Sequence, residues 1–276
     1  MQNGRTSLIF MIVSIVCLCA SVIFVLFTLG LRKSNITISA QEDAKETLLS
    51  FNNDNSEDIH SDSPSFDNNT EDGNSEIPKH HLLPIVTFLQ MPELPNGCEI
   101  VSLATVLRYL GFDIDKKELA RDYLPCGPVG TTAPDVAYVG DPTSSKSGTA
   151  YGCLAPVITR VANKFLRDNE ADYYAVNLTG TPLCELKEYI ANGIPVIMWT
   201  TLEMRKSQIT ATWTIDGTKY TWLTYSHCTV LTGYTANDYI FADPLYDLVS
   251  YSADKVESAY KAQYMQAVAI LPKIVK

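Results

Sequence analysis

Histidine is scarce in this sequence, with four in 276 residues. His60, His80 and His81 lie in or next to a polar segment that does not have the pattern of folded structure. His227 is therefore the sole histidine in the region predicted to fold, so any acid–base chemistry of an imidazole there must use it. The cysteines of that region form no Cys-x-x-Cys pair, and no metal site is predicted.

Basic residues are also outnumbered, and the formal net charge is −10. Residues 34–78 carry eleven carboxylates and one lysine, so this segment alone has a net charge equal to that of the whole chain. It is rich in Asn, Asp, Ser and Glu and poor in large apolar residues, a composition typical of disorder. We predict a disordered acidic linker over residues 32–80 and no nucleic-acid partner. The acidity belongs to a solvated linker and says little about a substrate.

A long apolar run precedes this linker. Residues 8–31 are 24 uncharged residues between Arg5 and the pair Arg32-Lys33. The run is long enough to cross a bilayer as a helix and longer than the apolar core of an ordinary cleaved signal peptide. We predict a single-pass signal anchor in the cell membrane, a short cytoplasmic tail of residues 1–7 and an extracellular folded domain of residues 81–276. Basic residues on both sides of the run do not fix its orientation.

The segment around Cys98 predicts a cysteine in the first turn of a helix. Turn and N-cap residues precede it, and Gly111 ends the apolar pattern that follows. That pattern has helical spacing and comprises Ile100, Leu103, Ala104, Leu107 and Leu110. The helix dipole favours a thiolate at this position, and only a thiolate is a strong nucleophile. On the helix pattern alone, the alternative that Cys98 is a small core residue stays open.

His227 opens a segment that reads as a strand, and Ala236-Asn237-Asp238 reads as the turn into a second strand that ends at Asp243. Such a hairpin brings the two strands together, so the Asp243 carboxylate could bind one nitrogen of the His227 ring while the other faces Cys98. The register cannot be fixed from the sequence. A turn-initiating role for Asp243 before Pro244 is the alternative.

Five segments in order resemble the C39-like peptidases, a bacterial branch of the papain-like cysteine peptidases, over about residues 83–271. They are Gln90 to Cys98 with Glu99 following, Tyr151 to Pro156, Gly193 to Trp199, Ser226-His227-Cys228, and Asp243-Pro244-Leu245. The resemblance implies that Cys98 is the nucleophile, His227 the general base, Asp243 the residue that orients the imidazole, and Gln90 a donor to the oxyanion hole. It implies hydrolysis through a thioester, no cofactor, and a peptide or protein substrate at the cell surface. The chain departs from many relatives at Ser226, where they have an acidic residue, and at Asp247, where they have a glycine.

The order of predicted elements, helices first and an antiparallel sheet after them, indicates an α+β fold, which agrees with the papain-like fold that the resemblance implies. Predicted helices cover residues 98–110, 116–123, 156–166 and 182–192, and predicted strands cover residues 195–200, 212–215, 219–223 and the His227 hairpin. A loop over residues 125–148 could border the site or be a mobile surface loop. Two further functions stay open: a non-catalytic module that binds peptides or envelope partners, and a cell-envelope amidase or acyltransferase with the same three residues.

Overall fold

The computed structural model of the protein describes residues 77–273. The predicted signal anchor at residues 8–31 lies outside the described residues, as does the predicted linker up to residue 76. Within residues 77–273, no helix is both long and apolar enough to cross a membrane.

The described region is an α+β domain. Its helices α1 to α5 are Cys98–Tyr109, Lys116–Tyr123, Ala155–Asp168, Leu186–Ala191 and Ala253–Ala262. Its strands β1 to β12 are His81–Leu82, Cys126–Gly127, Tyr138–Gly140, Ala150–Gly152, Tyr173–Asn177, Val196–Thr201, Ile209–Ile215, Thr218–Leu223, Ser226–Tyr234, Asp238–Asp243, Asp247–Ser252 and Ala267–Pro272. A 3₁₀ turn at Leu202–Met204 follows β6.

The main sheet has seven strands in the order β11-β10-β9-β6-β12-β5, with β1 paired to the far end of β9. Its strand pairs are all antiparallel. Strand β9 lies in the centre, and its pairing with β10 shifts register between Ile240 and Phe241. Strands β2, β3 and β4 form a small second sheet, and β7 and β8 form a separate hairpin.

Apolar side chains cover both faces of the main sheet. On one face, Trp199, Cys228 and Val230 pack in a cluster with residues of α1, α2 and α3. On the other face, Met198 and Leu231 pack with residues of α4 and α5. Alternate residues of β6 and β9 enter opposite clusters, as the period of two in a strand requires. Helix α1 lies directly against the sheet, with Ile100, Leu103 and Leu107 fully buried.

Most of the predicted elements are confirmed. Helix α2 has the predicted bounds, α1 and α3 end within two residues of them, and the hairpin of β9 and β10 is present. Cys228, next to His227 on β9, is buried in the core. Helix α4 is shorter than predicted, because residues 182–185 form a turn.

Two predictions about the order of elements are wrong. Helices and strands are not separated along the chain, since β5 precedes α4 and α5 lies between β11 and β12. The predicted loop of residues 125–148 contains β2 and β3. These short strands pair with each other and with β4, a contact between distant segments that local sequence patterns do not report.

Candidate active site

Cys98 is the first residue of α1, as predicted. Gly97 is the N-cap residue and supplies no side-chain hydrogen bond to the helix. A Cβ atom at Gly97 would lie 2.9 Å from Leu94 Cβ, so the tight turn from Leu94 to Gly97 favours glycine at this position. The Cys98 side chain keeps partial access to solvent, which a nucleophile needs, while Glu99 and Ile100 after it are buried.

The surroundings of the Cys98 sulfur oppose ionisation in this structure. Burial raises the pKa of the thiol well above its ordinary value, and the neighbouring Glu99 carboxyl raises it further. The backbone N–H of Cys228 acts in the opposite direction and lowers this pKa. Burial and the Glu99 carboxyl together outweigh the Cys228 N–H, so the net effect on the pKa of the thiol is upward. The thiol donates a hydrogen bond to Glu99 Oε2 at 3.3 Å.

Glu99 is a buried carboxyl group beside the nucleophile candidate, with 3% of its surface exposed. Its Oε1 atom accepts a hydrogen bond from the backbone N–H of Cys153 at 3.0 Å. Burial raises the pKa of Glu99, although three hydrogen-bond donors around it act to lower it. A Cβ atom at Gly152 would lie 2.2 Å from Oε1, and Gly152 has φ +134°, so glycine is required where β4 meets this carboxyl group.

His227 and Asp243 form a direct contact. The ring Nε2 atom lies 2.9 Å from Asp243 Oδ1 and 3.0 Å from Oδ2. Both side chains are buried, with 4% and 1% of their surface exposed. Since Asp243 contacts Nε2, the ring nitrogen that this contact does not use is Nδ1. His227 immediately precedes Cys228 on β9, and the backbone N–H of Cys228 acts on the Cys98 sulfur.

Asp243 also holds the turn that follows it. Its Oδ1 atom accepts a hydrogen bond from the backbone N–H of Leu245 at 2.8 Å. The turn role and the contact with His227, which the sequence offered as alternatives, thus occur together. Asp247, opposite Asp243 in the pairing of β10 and β11, has φ +66°, a conformation that favours glycine.

Gln90 is buried, with 3% of its surface exposed, and it contacts both the segment after Asp243 and the turn before Cys98. Its backbone N–H donates to Pro244 O at 2.8 Å, next to Asp243. Its side-chain Nε2 donates to Pro95 O at 2.7 Å, three residues before Cys98. One of the two amide hydrogens is used in this way, and Oε1 has no hydrogen-bond partner among the described residues.

The family model described as Peptidase C39 like matches residues 82–268. The chain belongs to the C39-like peptidase family. A relative in Bacillus subtilis (strain 168), the uncharacterized protein YvpB, is 30% identical over an alignment of 198 residues that covers 68% of this chain and 75% of the relative.

One solved structure supports the fold. The crystal structure of a proposed C39-like peptidase from Bacillus anthracis is similar with a TM-score of 0.64 and 28% identity, covering 71% of this chain and 99% of that one. The peptidase domain of Streptococcus ComA, a bifunctional ABC transporter, has a TM-score of 0.39 and 14% identity, covering 68% of this chain and 98% of that domain. The latter likeness is too low to carry an argument about this C39-like chain.

The sequence reasoning for this C39-like domain missed the role of Glu99 in the site. Its position after Cys98 was noted, but a glutamate in the first turn of a helix is usually solvated. Only the packing of Gly152 and Cys153 against it reveals that it is buried. One of the segments that carry the family resemblance, Tyr151 to Pro156, therefore contacts the site directly, because its Cys153 backbone N–H donates a hydrogen bond to Glu99.

The segment of residues 125–148 borders the turn before Cys98. Asn96 donates its backbone N–H to Pro142 O at 3.1 Å and its side-chain amide to Ser144 O at 2.5 Å. On β7, Trp213 donates its ring N–H to Thr132 O at 3.0 Å, within the same segment of residues 125–148. The Trp213 ring lies 5.7 Å from the Tyr151 ring. Trp199 and Trp222 are buried core residues, whereas Trp213 is half-buried.

The remaining cysteines of the domain are free thiols in the structure. Cys153 is fully buried and Cys126 is exposed, and no disulfide joins them. Among residues 77–273 no group of three or more His, Cys, Asp or Glu side chains could hold a metal ion.

Proposed function

We propose that the protein is a cysteine peptidase that hydrolyses peptide or isopeptide bonds through a thioester on Cys98. The observation that carries the proposal is the buried contact between His227 Nε2 and Asp243, with Asp243 itself held by the Leu245 N–H. A carboxylate that binds one ring nitrogen fixes the tautomer in which the other nitrogen accepts a proton. That nitrogen is Nδ1, and the α1 terminus with Cys98 lies beside the strand that carries it.

In this proposal, His227 Nδ1 takes the proton of the Cys98 thiol, and the sulfur attacks the carbonyl carbon of the substrate. The negative charge moves to the carbonyl oxygen, where the remaining Gln90 amide hydrogen and the N–H groups of the first turn of α1 are the candidate donors. The imidazolium then protonates the leaving amine. Water, deprotonated by His227, hydrolyses the thioester and restores the thiol.

The raised pKa of Cys98 fits a nucleophile that ionises only when a base accepts its proton. A neutral resting thiol resists oxidation better than a permanent thiolate, because oxidation requires the thiolate. This would suit an extracellular position. We propose that residues 8–31 anchor the protein in the membrane of a bacterial cell, with residues 81–276 outside. External protease added to intact cells should then remove the domain, whereas a cytoplasmic marker should survive.

Two other functions use the same fold. A non-catalytic binding module needs no Cys–His–Asp set, and the presence of all three residues, with the His227–Asp243 contact buried, favours catalysis. An amidase or acyltransferase differs only in its substrate or acyl acceptor, so analysis of the products formed from peptides and from cell-wall fragments separates it from a peptidase.

The experiment that tests the proposal is alkylation of the full-length chain by iodoacetamide between about pH 5 and pH 9. Peptide-level mass spectrometry reports Cys98, with the exposed Cys184 as an internal reference. We expect Cys98 at neutral pH to label at least about tenfold faster in the wild type than in His227→Ala, since general-base assistance contributes about 10²–10⁴. Equal labelling of Cys98 in both proteins, while Cys184 is unchanged, would leave the binding module as the better function.

A further inference from the structure

Glu99 has contacts that a helix-capping glutamate does not need. One carboxylate oxygen lies 3.3 Å from the Cys98 sulfur, and the other accepts the Cys153 backbone N–H at 3.0 Å. The carboxyl group is buried, and none of the ion pairs in residues 77–273 includes it. An isolated buried carboxylate is costly, so its protonation state is coupled to its neighbours.

Titratable groups from several segments of the chain interact with Glu99. Cys98 precedes it on α1, and His227 acts on it from β9. The groups that its charge affects in turn are Cys98, Tyr138, Cys153 and Cys228. His227 is the single group of this set that can become positively charged. The carboxyl, the thiols and the tyrosine hydroxyl are either neutral or negatively charged. Ionisation of one of these groups therefore makes the ionisation of another less favourable.

Catalysis by Cys98 adds such a charge. A thiolate and a carboxylate 3.3 Å apart in a buried site repel each other strongly, and groups coupled this closely do not ionise together. When the proton of Cys98 moves to His227, the Sγ–H bond breaks and the electron pair stays on sulfur. A neutral Glu99 with its own proton on Oε2 then donates a hydrogen bond to that sulfur, whereas the negative charge of an ionised Glu99 repels the thiolate and drives the proton back from His227 to the sulfur.

We propose that Glu99 is a further catalytic residue of this site, a carboxylic acid that must be protonated for Cys98 to react as a thiolate. This proposal rests on the proposed nucleophilic role of Cys98. The contact with the Cys153 N–H keeps the carboxyl group in the orientation in which its second oxygen faces the sulfur. Glu99 thereby sets the upper pH limit of the reactive form.

The test compares full-length wild type with Glu99→Gln and Glu99→Leu by alkylation of Cys98 as a function of pH. Glutamine imitates the protonated acid, because its carbonyl can accept from the Cys153 N–H while its amide donates to sulfur. We expect Glu99→Gln to lower the apparent pKa of Cys98 by about one unit or more, which gives about tenfold faster labelling at neutral pH. Glu99→Leu removes the charge without supplying a donor, and it should label more slowly than Glu99→Gln at each pH. The matched control is Glu118→Gln, an exposed glutamate on α2, which should label like wild type.

The pH dependence of thermal unfolding provides a second, independent measurement of the Glu99 protonation state. The folded state raises the pKa of Glu99, so the wild type should lose stability as the pH rises from the ordinary value of a glutamate toward the raised one. Glu99→Gln should lack this loss, and the two melting temperatures should converge in acid.

Unchanged apparent pKa of Cys98 in Glu99→Gln, in a protein that melts like wild type at acid pH, would overturn the proposal. Labelling that depends on Glu99 but not on His227 would instead reject the peptidase mechanism and keep the coupling between Glu99 and Cys98. The two failures are therefore distinguishable in one data set.

Discussion

Two substitutions of Asp243 can separate its turn role from its role toward His227. Asp243→Ala removes the acceptor of both His227 Nε2 and the Leu245 N–H, which lie 2.9 Å and 2.8 Å from Oδ1. Asp243→Asn keeps a carbonyl oxygen for the Leu245 N–H but brings an amide donor to the position of Oδ2, 3.0 Å from Nε2. The amide favours the tautomer that has its proton on Nδ1, where His227 can no longer accept the proton of Cys98.

The expected magnitudes differ sharply between the two variants. Each buried donor left without an acceptor costs about 1–3 kcal/mol, so Asp243→Ala should lower the free energy of unfolding by about 3–5 kcal/mol. For a domain of this size that corresponds to a melting temperature lower by roughly 10 °C. Asp243→Asn should lose only about 1 kcal/mol in stability, yet the loss of the correct tautomer should reduce the rate of the Cys98 reaction by up to about 10⁴-fold.

The assay combines thermal unfolding with the pH profile of Cys98 alkylation, both on the full-length chain. A stable Asp243→Asn protein with strongly reduced labelling at neutral pH is the expected result. If Asp243→Asn labels with the wild-type pH profile, Asp243 serves the turn alone and the tautomer argument is refuted. If Asp243→Ala unfolds at the wild-type temperature, the buried contact itself is contradicted.

Two further predictions concern backbone positions around the site. Gly152→Ala should destabilise the protein by about 3 kcal/mol or more in urea unfolding and should also slow Cys98 alkylation, because the new Cβ would lie 2.2 Å from Glu99 Oε1 at φ +134°. The control is Gly180→Ala, where φ is +96° and the space around the residue is open; this variant should lose stability without slower alkylation. At Asp247, with φ +66°, glycine should be about 1 kcal/mol more stable than alanine in the same assay, with aspartate between them. Equal stability of the glycine and alanine variants would contradict the strain argued for that turn.

Much of this fold could be predicted where the signal is local. Helix α1 has turn residues before Cys98, apolar residues at helical spacing and Gly111 after its end, and Gly111 has φ +92° in the structure. Strand β5 could not be found in this way, because Tyr173–Asn177 pairs with β12, which follows it by about ninety residues. Helix α5 was missed although Val256, Ala259 and Tyr260 have helical spacing, since strands precede and follow it closely.

The same difference between local patterns and long-range contacts decides which parts of the candidate site could be predicted. Cysteine, histidine, aspartate and glutamine could be named from residue type, order and family resemblance. Predicting the contact of Asp243 with His227 requires the register of β9 against β10. That register shifts between Ile240 and Phe241, and no pattern in the sequence indicates the shift. The burial of Glu99 depends on Gly152 and Cys153, more than fifty residues away, and a glutamate gives no sequence signal that it will be buried.

Four contacts form a closed circuit around Cys98 and explain how distant segments hold one geometry. Glu99 on α1 accepts the Cys153 N–H, and the Cys153 carbonyl accepts the Trp199 ring N–H at 2.9 Å. Trp199 pairs with Cys228 across β6 and β9, and the Cys228 carbonyl accepts the hydroxyl of Ser102, which returns the circuit to α1. Every link includes a backbone group, so each depends on where the chain runs, and a shift at one segment moves the others with it. Because Cys98 precedes Glu99 on α1 and His227 precedes Cys228 on β9, the packing that fixes α1 against the sheet also fixes the backbone positions that carry the thiol and the imidazole. Residues of the circuit that never touch a substrate therefore bear directly on its chemistry.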